Sequence, residues 1–542
     1  MAYYGLVSAG VALTATESND GITNAGALTS TLTAVSVLGL GGDDLINLGQ
    51  LGTTATALAT TQFTGGSTGM PLSARLAGLD AIYTSKFATG TLASGAVVSV
   101  TVTGVVTSQN AIRSLHGSQI YGNAGNDTIA LGTEVTLFSS TTIGGGAGDD
   151  LIGTLTYVNG VSANATVTGA AVYKNSFIEA GGGNDFIYFN GENAFTASTI
   201  QGSLGNDTIQ LNLSGTNSQI TASQILAGGN EDLITGNITT ASFSTIAGGG
   251  GNDTIRLNLS NTNSLVIAGD TFNSSSEYDG NDLFDVIYAD TVSATTIAAG
   301  GGNDSIRLSG AGGANAGGYN VFALNAGNDI FSADFAKLTA ATIYGGAGLD
   351  SIYLASGALT GGTIVFGGGD NDLFNISASG ESTNQATIYG GLGADTFSAD
   401  LFLSGGNNFT IAYSAAADST ISAMDTISIG QAAVNSGTFV FDYDPRGVQL
   451  ATTSVPASFT ATNGIAVFTG TFASDVTSRV QALNSGITNT GGTVLFTNGG
   501  TDRLYMFIQG GTDDLVTQIG LVSRGTGTIT VANQEIITVV KG

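Results

Sequence analysis

The sequence predicts an all-β chain: a parallel β-solenoid of about 22 residues per coil, followed by a C-terminal β domain. Three observations predict it. A phrase rich in glycine and aspartate recurs at a near-constant interval, apolar residues alternate with polar ones after each copy, and 83 glycines coexist with a mean hydropathy of +0.27. Glycine at that level in a chain with 42% hydrophobic residues serves geometry rather than disorder.

The phrase reads GNAGNDTI at its first copy after residue 121, then GGAGDDLI, GGGNDFI, GSLGNDTI and so on to GGLGADTF; an earlier copy, GLGGDDLI, occupies residues 39 to 46. Its fixed acid falls at Asp44, Asp127, Asp150, Asp185, Asp207, Asp232, Asp253, Asp282, Asp304, Asp329, Asp350, Asp372 and Asp395. From Asp127 on, the gaps are 21 to 25 residues, apart from two of 35 and 29. After Asp253 come Ile255, Leu257 and Leu259 with Thr254, Arg256 and Asn258 between them, so alternate positions face a core. A second apolar segment precedes each turn, as in Thr342-Ile343-Tyr344 or Ser244-Thr245-Ile246. Each period therefore reads as strand, glycine turn, strand and a looser return loop. Such a unit cannot bury its inward face alone, so successive units stack strand above strand. At about 4.8 Å per coil, twelve stacked turns make a rod section on the order of 55 Å long.

Charge narrows the partners. Twelve Lys and Arg against forty Asp and Glu give a net charge of -28 and a pI near 4.1, which disfavours nucleic acid and anionic lipid and favours cations. No cysteine is present and His116 is the single histidine, so hard oxygen atoms are the plentiful metal ligands. No apolar run is long enough to span a membrane. The N-terminal stretch has no basic residue ahead of its apolar part and lacks the charged start of a cleaved signal peptide.

These phrases resemble the calcium-binding repeats of the RTX (repeats-in-toxin) family, with consensus GGxGxDxUx, U being a large apolar residue. The resemblance covers 13 turns between residues 39 and 400, and Gly345-Gly346-Ala347-Gly348-Leu349-Asp350-Ser351-Ile352 fits all of it. It implies an RTX-like β-roll in which glycine carbonyls and the thirteen aspartates bridge calcium ions between adjacent turns. Family arrays repeat every nine residues on both edges of the roll; one signature per coil here implies a calcium ladder on one edge only. The opposite edge is then made of loops such as Ser260 to Ser264 or Ala311 to Tyr319. About ten ions would bind such a ladder. Without metal the aspartates would repel one another, linking folding to calcium. Three turns are degenerate: Glu277 to Asp282 lacks the leading glycines, and Asn230 and Asp370 replace a glycine, both residues that tolerate the left-handed conformation. The competing reading is that Gly, Asn and Asp are simply good turn formers and need no ion.

The boundaries follow. Residues 1–46 form an N-terminal cap and first coil, 47–116 an inserted projecting subdomain, 117–430 the calcium-binding solenoid, and 431–542 a C-terminal β domain. In the insertion, Pro71 opens a short helix with Leu72, Leu76, Leu79 and Ile82 on one face, and residues 96 to 107 alternate as an exposed strand. Asp425-Thr-Ile-Ser-Ile429 keeps the acid without the glycines and reads as a last, metal-free coil, and Gly510 to Val516 as a turn of the C-terminal domain. The Ile529 to Val540 tail is compatible with the uncleaved type I secretion signal of RTX exoproteins.

No HExxH helix or GxSxG elbow occurs, and the array fills most of the chain, so a non-enzymatic role is expected. The expectation is a secreted structural subunit of a surface layer (S-layer) or extracellular filament at the cell surface, self-assembling as a homo-oligomer through solenoid ends and flanking domains. The alternatives are an adhesin or matrix protein binding cell-surface polysaccharide, and a polysaccharide-active enzyme.

Overall fold

The computed structural model describes short strands within 4–66 and the chain from 114 to 540, except residues 118, 132–136, 155, 159–160, 164–170, 271–279, 290, 311–314, 317, 335–337, 355–358, 361, 377–384, 400–407, 430–437, 446, 456–457, 470–474, 499–502 and 521–527. The chain forms two compact units, Met1–Asp282 and Leu283–Gly542. Both are built on an all-β parallel solenoid.

In the first unit most coils hold three strands, one more than the sequence pattern announced, and in Leu233–Ser242 and Thr254–Asn263 the second and third run on as one. The first strands are Gln119–Ala124, Thr142–Ala147, Phe177–Gly182, Thr199–Leu204, Gln224–Gly229, Thr245–Gly250 and Val266–Asp270. They pair in parallel so that Ile120, Ile143, Ile178, Ile200, Ile225, Ile246 and Ile267 stand in one register column, all fully buried. The second strands, from Thr128–Ala130 to Thr254–Asn263, carry a facing column of Ile129, Ile152, Ile187, Ile209, Ile234 and Ile255. A β-branched residue at one inward position per coil fills the space between these sheets with identical shapes. The third strands add a buried aromatic stack: Phe138, Tyr173 and Phe195 lie with ring centroids 4.6 and 4.7 Å apart.

Glycine behaves differently from the expected turn. The phrase runs on as strand, so that Gly181 and Gly182 belong to Phe177–Gly182, and only the last residues before the aspartate bend. Gly181 and Gly183 have φ of 120° and 134°, which side chains rarely adopt. Asn230 and Asp370 take the left-handed region in place of such glycines, with φ of 85° and 73°.

The opposite edge corrects the expectation of a loose return loop. Third and first strands meet at one left-handed residue, such as Asn175, Ala197, Ala222 or Phe243, followed by a buried serine. The Ser176 amide donates to Ser198 Oγ, Ser198 to Ser223 Oγ and Ser223 to Ser244 Oγ, at 3.1 to 3.2 Å. Each of these hydroxyls also donates to the carbonyl two residues earlier. Residues 260–263, expected as loop, belong to strand Thr254–Asn263, and Ser264 is the left-handed residue of its coil, with φ of 54°.

Of residues 47–116, Ala55–Gly66 runs parallel to Ser30–Leu38 and to Gln119–Ala124, inside the stack. Ser114–His116 pairs with Leu137–Ser139. The Pro71 helix and the 96–107 strand lie outside the described residues.

The second unit repeats the plan. Ile297, Phe322, Ile343, Val365, Ile388, Ile411 and Phe441 form one column; Phe284, Ile306, Phe331, Ile352, Phe374, Phe397 and Ile427 form the facing one. Both sheets then pass into a C-terminal antiparallel region. Thr438–Tyr443 pairs with Ile536–Val540, and Asp425–Ile429 pairs in parallel with Leu515–Gly520, itself antiparallel to Arg503–Ile508. This end of the solenoid is therefore closed rather than an open edge. The helix Val476–Gly486, not announced by the strand alternation, is capped by Asp475, which accepts from the Ser478 amide at 2.7 Å. Its Val480 and Leu483 pack with Phe459, Val494 and Phe507. Among the described residues no helix is long and apolar enough to cross a membrane.

The serine column yields a direct prediction. Ser198→Ala leaves the buried Ser176 amide without its acceptor, so it should lower stability by about 1–3 kcal/mol. A urea unfolding series read by circular dichroism should show a lower midpoint with unchanged slope.

Candidate metal site: a buried aspartate column

Twelve of the thirteen aspartates singled out by the repeat lie in the described residues, and all twelve are buried, none more than 4% exposed; Asp44 lies outside them. They stand in columns within each unit, held by a bond the sequence did not reveal. In the first unit the Asp127 amide donates to Asp150 Oδ1 at 2.7 Å, Asp150 to Asp185 at 2.6 Å, Asp185 to Asp207 at 2.8 Å, Asp207 to Asp232 at 2.7 Å, and Asp232 and Asp253 each to the next aspartate at 2.8 Å, ending at Asp282. In the second unit the same bond links Asp304, Asp329, Asp350, Asp372 and Asp395 in turn, at 2.7 to 2.9 Å. The degenerate turns keep it.

Asp425 extends the second column, because its Oδ1 accepts from the Asp395 amide at 2.9 Å. Its own amide donates to Ser419 Oγ, a neutral hydroxyl where the next carboxylate would stand, and Thr517 takes the following register position. The spacing of Asp425 from Asp395 could have found it; its missing glycines concealed it. Where asparagine precedes the aspartate it forms an exposed counter-ladder of opposite direction: Asn184 Oδ1 accepts from the Asn206 amide and Asn328 Oδ1 from the Leu349 amide.

The second carboxylate oxygen is different. Oδ2 of Asp150, Asp185, Asp207, Asp232, Asp253, Asp329, Asp350, Asp372 and Asp395 is buried with no hydrogen-bond partner. A buried acceptor in that state is costly, and an ionised one far more so. Burial is the main reason these carboxyls rise: Asp150, Asp253 and Asp372 to about 8, Asp185, Asp232, Asp282 and Asp350 to about 7, and Asp207, Asp329 and Asp395 to about 6. Asp425 rises well above the usual range for the same reason, with repulsion from Asp395 adding to it. In each case the backbone amide opposes the rise.

This geometry changes the expected role of each aspartate. Each aspartate side chain was expected to bridge ions between adjacent turns; here, as at Asp207 and Asp232, Oδ1 accepts from the neighbouring coil's amide and Oδ2 is left. That amide bond also gives a metal-free reason for an aspartate at this position in every coil. Among the described residues no three His, Asp or Glu side chains converge on one point. A hard cation would therefore take one carboxylate oxygen per coil and draw its remaining ligands from backbone carbonyls and water, a donor set that suits calcium. The orphaned Oδ2 atoms fit such an ion. Asp514, in the phrase near the C-terminus, only accepts from the Gly510 amide at 3.3 Å and lies outside the columns.

Two outcomes are expected in chelator. These carboxyls hold their protons more tightly folded than unfolded, where the value is about 3.9, so the folded chain binds more protons between that value and the raised ones. Stability should fall as pH rises from about 5 to 8, by thermal unfolding monitored with circular dichroism. Asp207→Asn keeps the Oδ1 acceptor and removes the charge, so it should gain on the order of 1 kcal/mol at pH 8, whereas Asp207→Ala should lose stability at every pH. No protein-family model, curated protein or solved structure matches this chain, so what the column can do rests on its own chemistry.

Proposed function

We propose that the chain is a calcium-stabilised structural protein of the cell exterior, a subunit that assembles with copies of itself into a surface layer or filament. The observation that carries this reading is the recurrence, coil after coil, of buried Oδ2 atoms without partners, as at Asp150, Asp185, Asp207, Asp232, Asp253, Asp329, Asp350, Asp372 and Asp395. Divalent cations placed along it would satisfy those oxygens and offset a net charge of -28. The likeness of the glycine-aspartate phrase to RTX repeats supports calcium as the ion, and with it export by type I secretion into a calcium-rich medium. A role as scaffold rather than catalyst accords with a chain whose described residues are almost entirely solenoid coils and the region that closes them. Closure of the C-terminal end directs assembly toward the flanks and the closing region.

A second reading has an observation of its own. On the outer face of the second unit Tyr344, Phe366 and Tyr389 stack with centroids 5.2 and 4.9 Å apart, and Tyr344 is 44% exposed. Such a row offers apolar rings with polar rims on which sugars can pack, as an adhesin for cell-surface polysaccharide would need.

Calcium should raise the melting temperature strongly, each site contributing about 2.7 kcal/mol at a free concentration one hundred times its Kd. Electron microscopy of purified protein in millimolar calcium should show ordered polymers that dissolve on chelation. A melting temperature indifferent to calcium and chelator would remove the cation from this reading. Persistent monomers retained on a polysaccharide column would move it to the adhesin.

A further inference from the structure

The glycines of the repeat are of two kinds, and the difference bears on which coils take an ion. Those four and two residues before the aspartate have the positive φ that glycine alone adopts easily, as at Gly346 and Gly348 ahead of Asp350, with φ of 120° and 122°. The glycine five residues before it has no positive φ, as at Gly145, Gly202, Gly345 and Gly367. Its backbone would accept any residue. Other coils confirm this: Ala180 precedes Asp185 and Ala227 precedes Asp232 in the first unit, and Ala299 precedes Asp304 and Leu324 precedes Asp329 in the second, all four fully buried.

What the glycine supplies is room. A Cβ on Gly145 would collide with Asp150 Oδ2 and with the Ala180 carbonyl oxygen of the next coil; one on Gly202 with Asp207 Oδ2 and the Ala227 oxygen; one on Gly345 with Asp350 Oδ2 and the Gly367 oxygen; one on Gly367 with Asp372 Oδ2 and the Gly390 oxygen. At these coils a buried carboxylate oxygen without a donor and a carbonyl oxygen flank the same spot. Two acceptors facing one another in a dry interior repel unless a positive group lies between or beside them. In the alanine and leucine coils a buried hydrocarbon side chain stands at that position instead.

We infer that the residue five positions before a column aspartate decides whether that coil binds a divalent cation: coils with glycine there, those of Asp127, Asp150, Asp207, Asp253, Asp350, Asp372 and Asp395, bind one, and coils with alanine or leucine, those of Asp185, Asp232, Asp304 and Asp329, do not. The inference rests on the cation reading above and divides the column into loaded and unloaded rungs. The unloaded rungs are held by their amide-to-carboxylate bonds and by the apolar group beside them.

Counting calcium ions bound per full-length chain, by native mass spectrometry and by equilibrium dialysis with radioactive calcium, tests it. Gly145→Ala and Gly367→Ala should each lose one ion relative to the unaltered protein, and Ala180→Gly and Ala227→Gly should each gain one. Circular dichroism of every variant reports whether the solenoid is intact, and the gain variants, which remove atoms, keep the test open if a loss variant fails to fold. The same number of ions in folded gain variants as in the unaltered protein would overturn the inference and leave the cation reading standing. No calcium bound to the unaltered protein would overturn both.

Discussion

The hydrogen bond from each column aspartate's amide to the carboxylate of the next coil is the interaction on which the rest depends. Within each unit it fixes the register of coil on coil at the point where the chain turns, and it does so from inside the protein, where water cannot compete. Placing a carboxylate there forces the other consequences. One oxygen is satisfied and the other is carried into the interior without a donor, which makes the same residue a structural pin and a demand for positive charge.

The two edges of the solenoid solve one problem by different chemistry. Wherever strands bend, an amide leaves the sheet ladder and needs another acceptor. On the glycine edge the acceptor is a carboxylate, flanked by an exposed amide ladder such as Asn184 to Asn206. On the opposite edge it is the Ser198 or Ser223 hydroxyl, which returns a hydrogen bond to its own chain and stays neutral. A neutral column is complete in itself; a charged one is complete only with a counter-charge. Within each unit the asymmetry places any dependence on pH or cations on the aspartate edge. Where the charged column ends in the second unit, Ser419 and Thr517 restore the neutral solution, and Tyr413 donates to Thr517 Oγ1 at 3.0 Å. The closing region is thus bonded to the last rung rather than merely resting on it.

Much of this was legible in the sequence. The period of the phrase fixes coil length, and the alternation after Asp253 and Asp207 fixes which side chains face inward, because side chains on a strand alternate whatever surrounds them. The position of the twelve described aspartates at one level of each coil follows from the same count. The third strand was not legible, because segments as short as Gln219–Thr221 are too brief for a period to show. Nor was the serine column, since serine between a left-handed residue and a threonine or glutamine has no pattern of its own until the coils are stacked.

The sequence by itself therefore determined the repeat, the solenoid and the residues that line its edge. Only the tertiary structure decided what those residues do there, since amide, carboxylate and carbonyl belong to different coils more than twenty residues apart in the chain. Alternation says that a side chain points inward, but not which atom waits for it. Whether an aspartate oxygen meets an amide, a methyl group or a facing carbonyl depends on the coil above or below it.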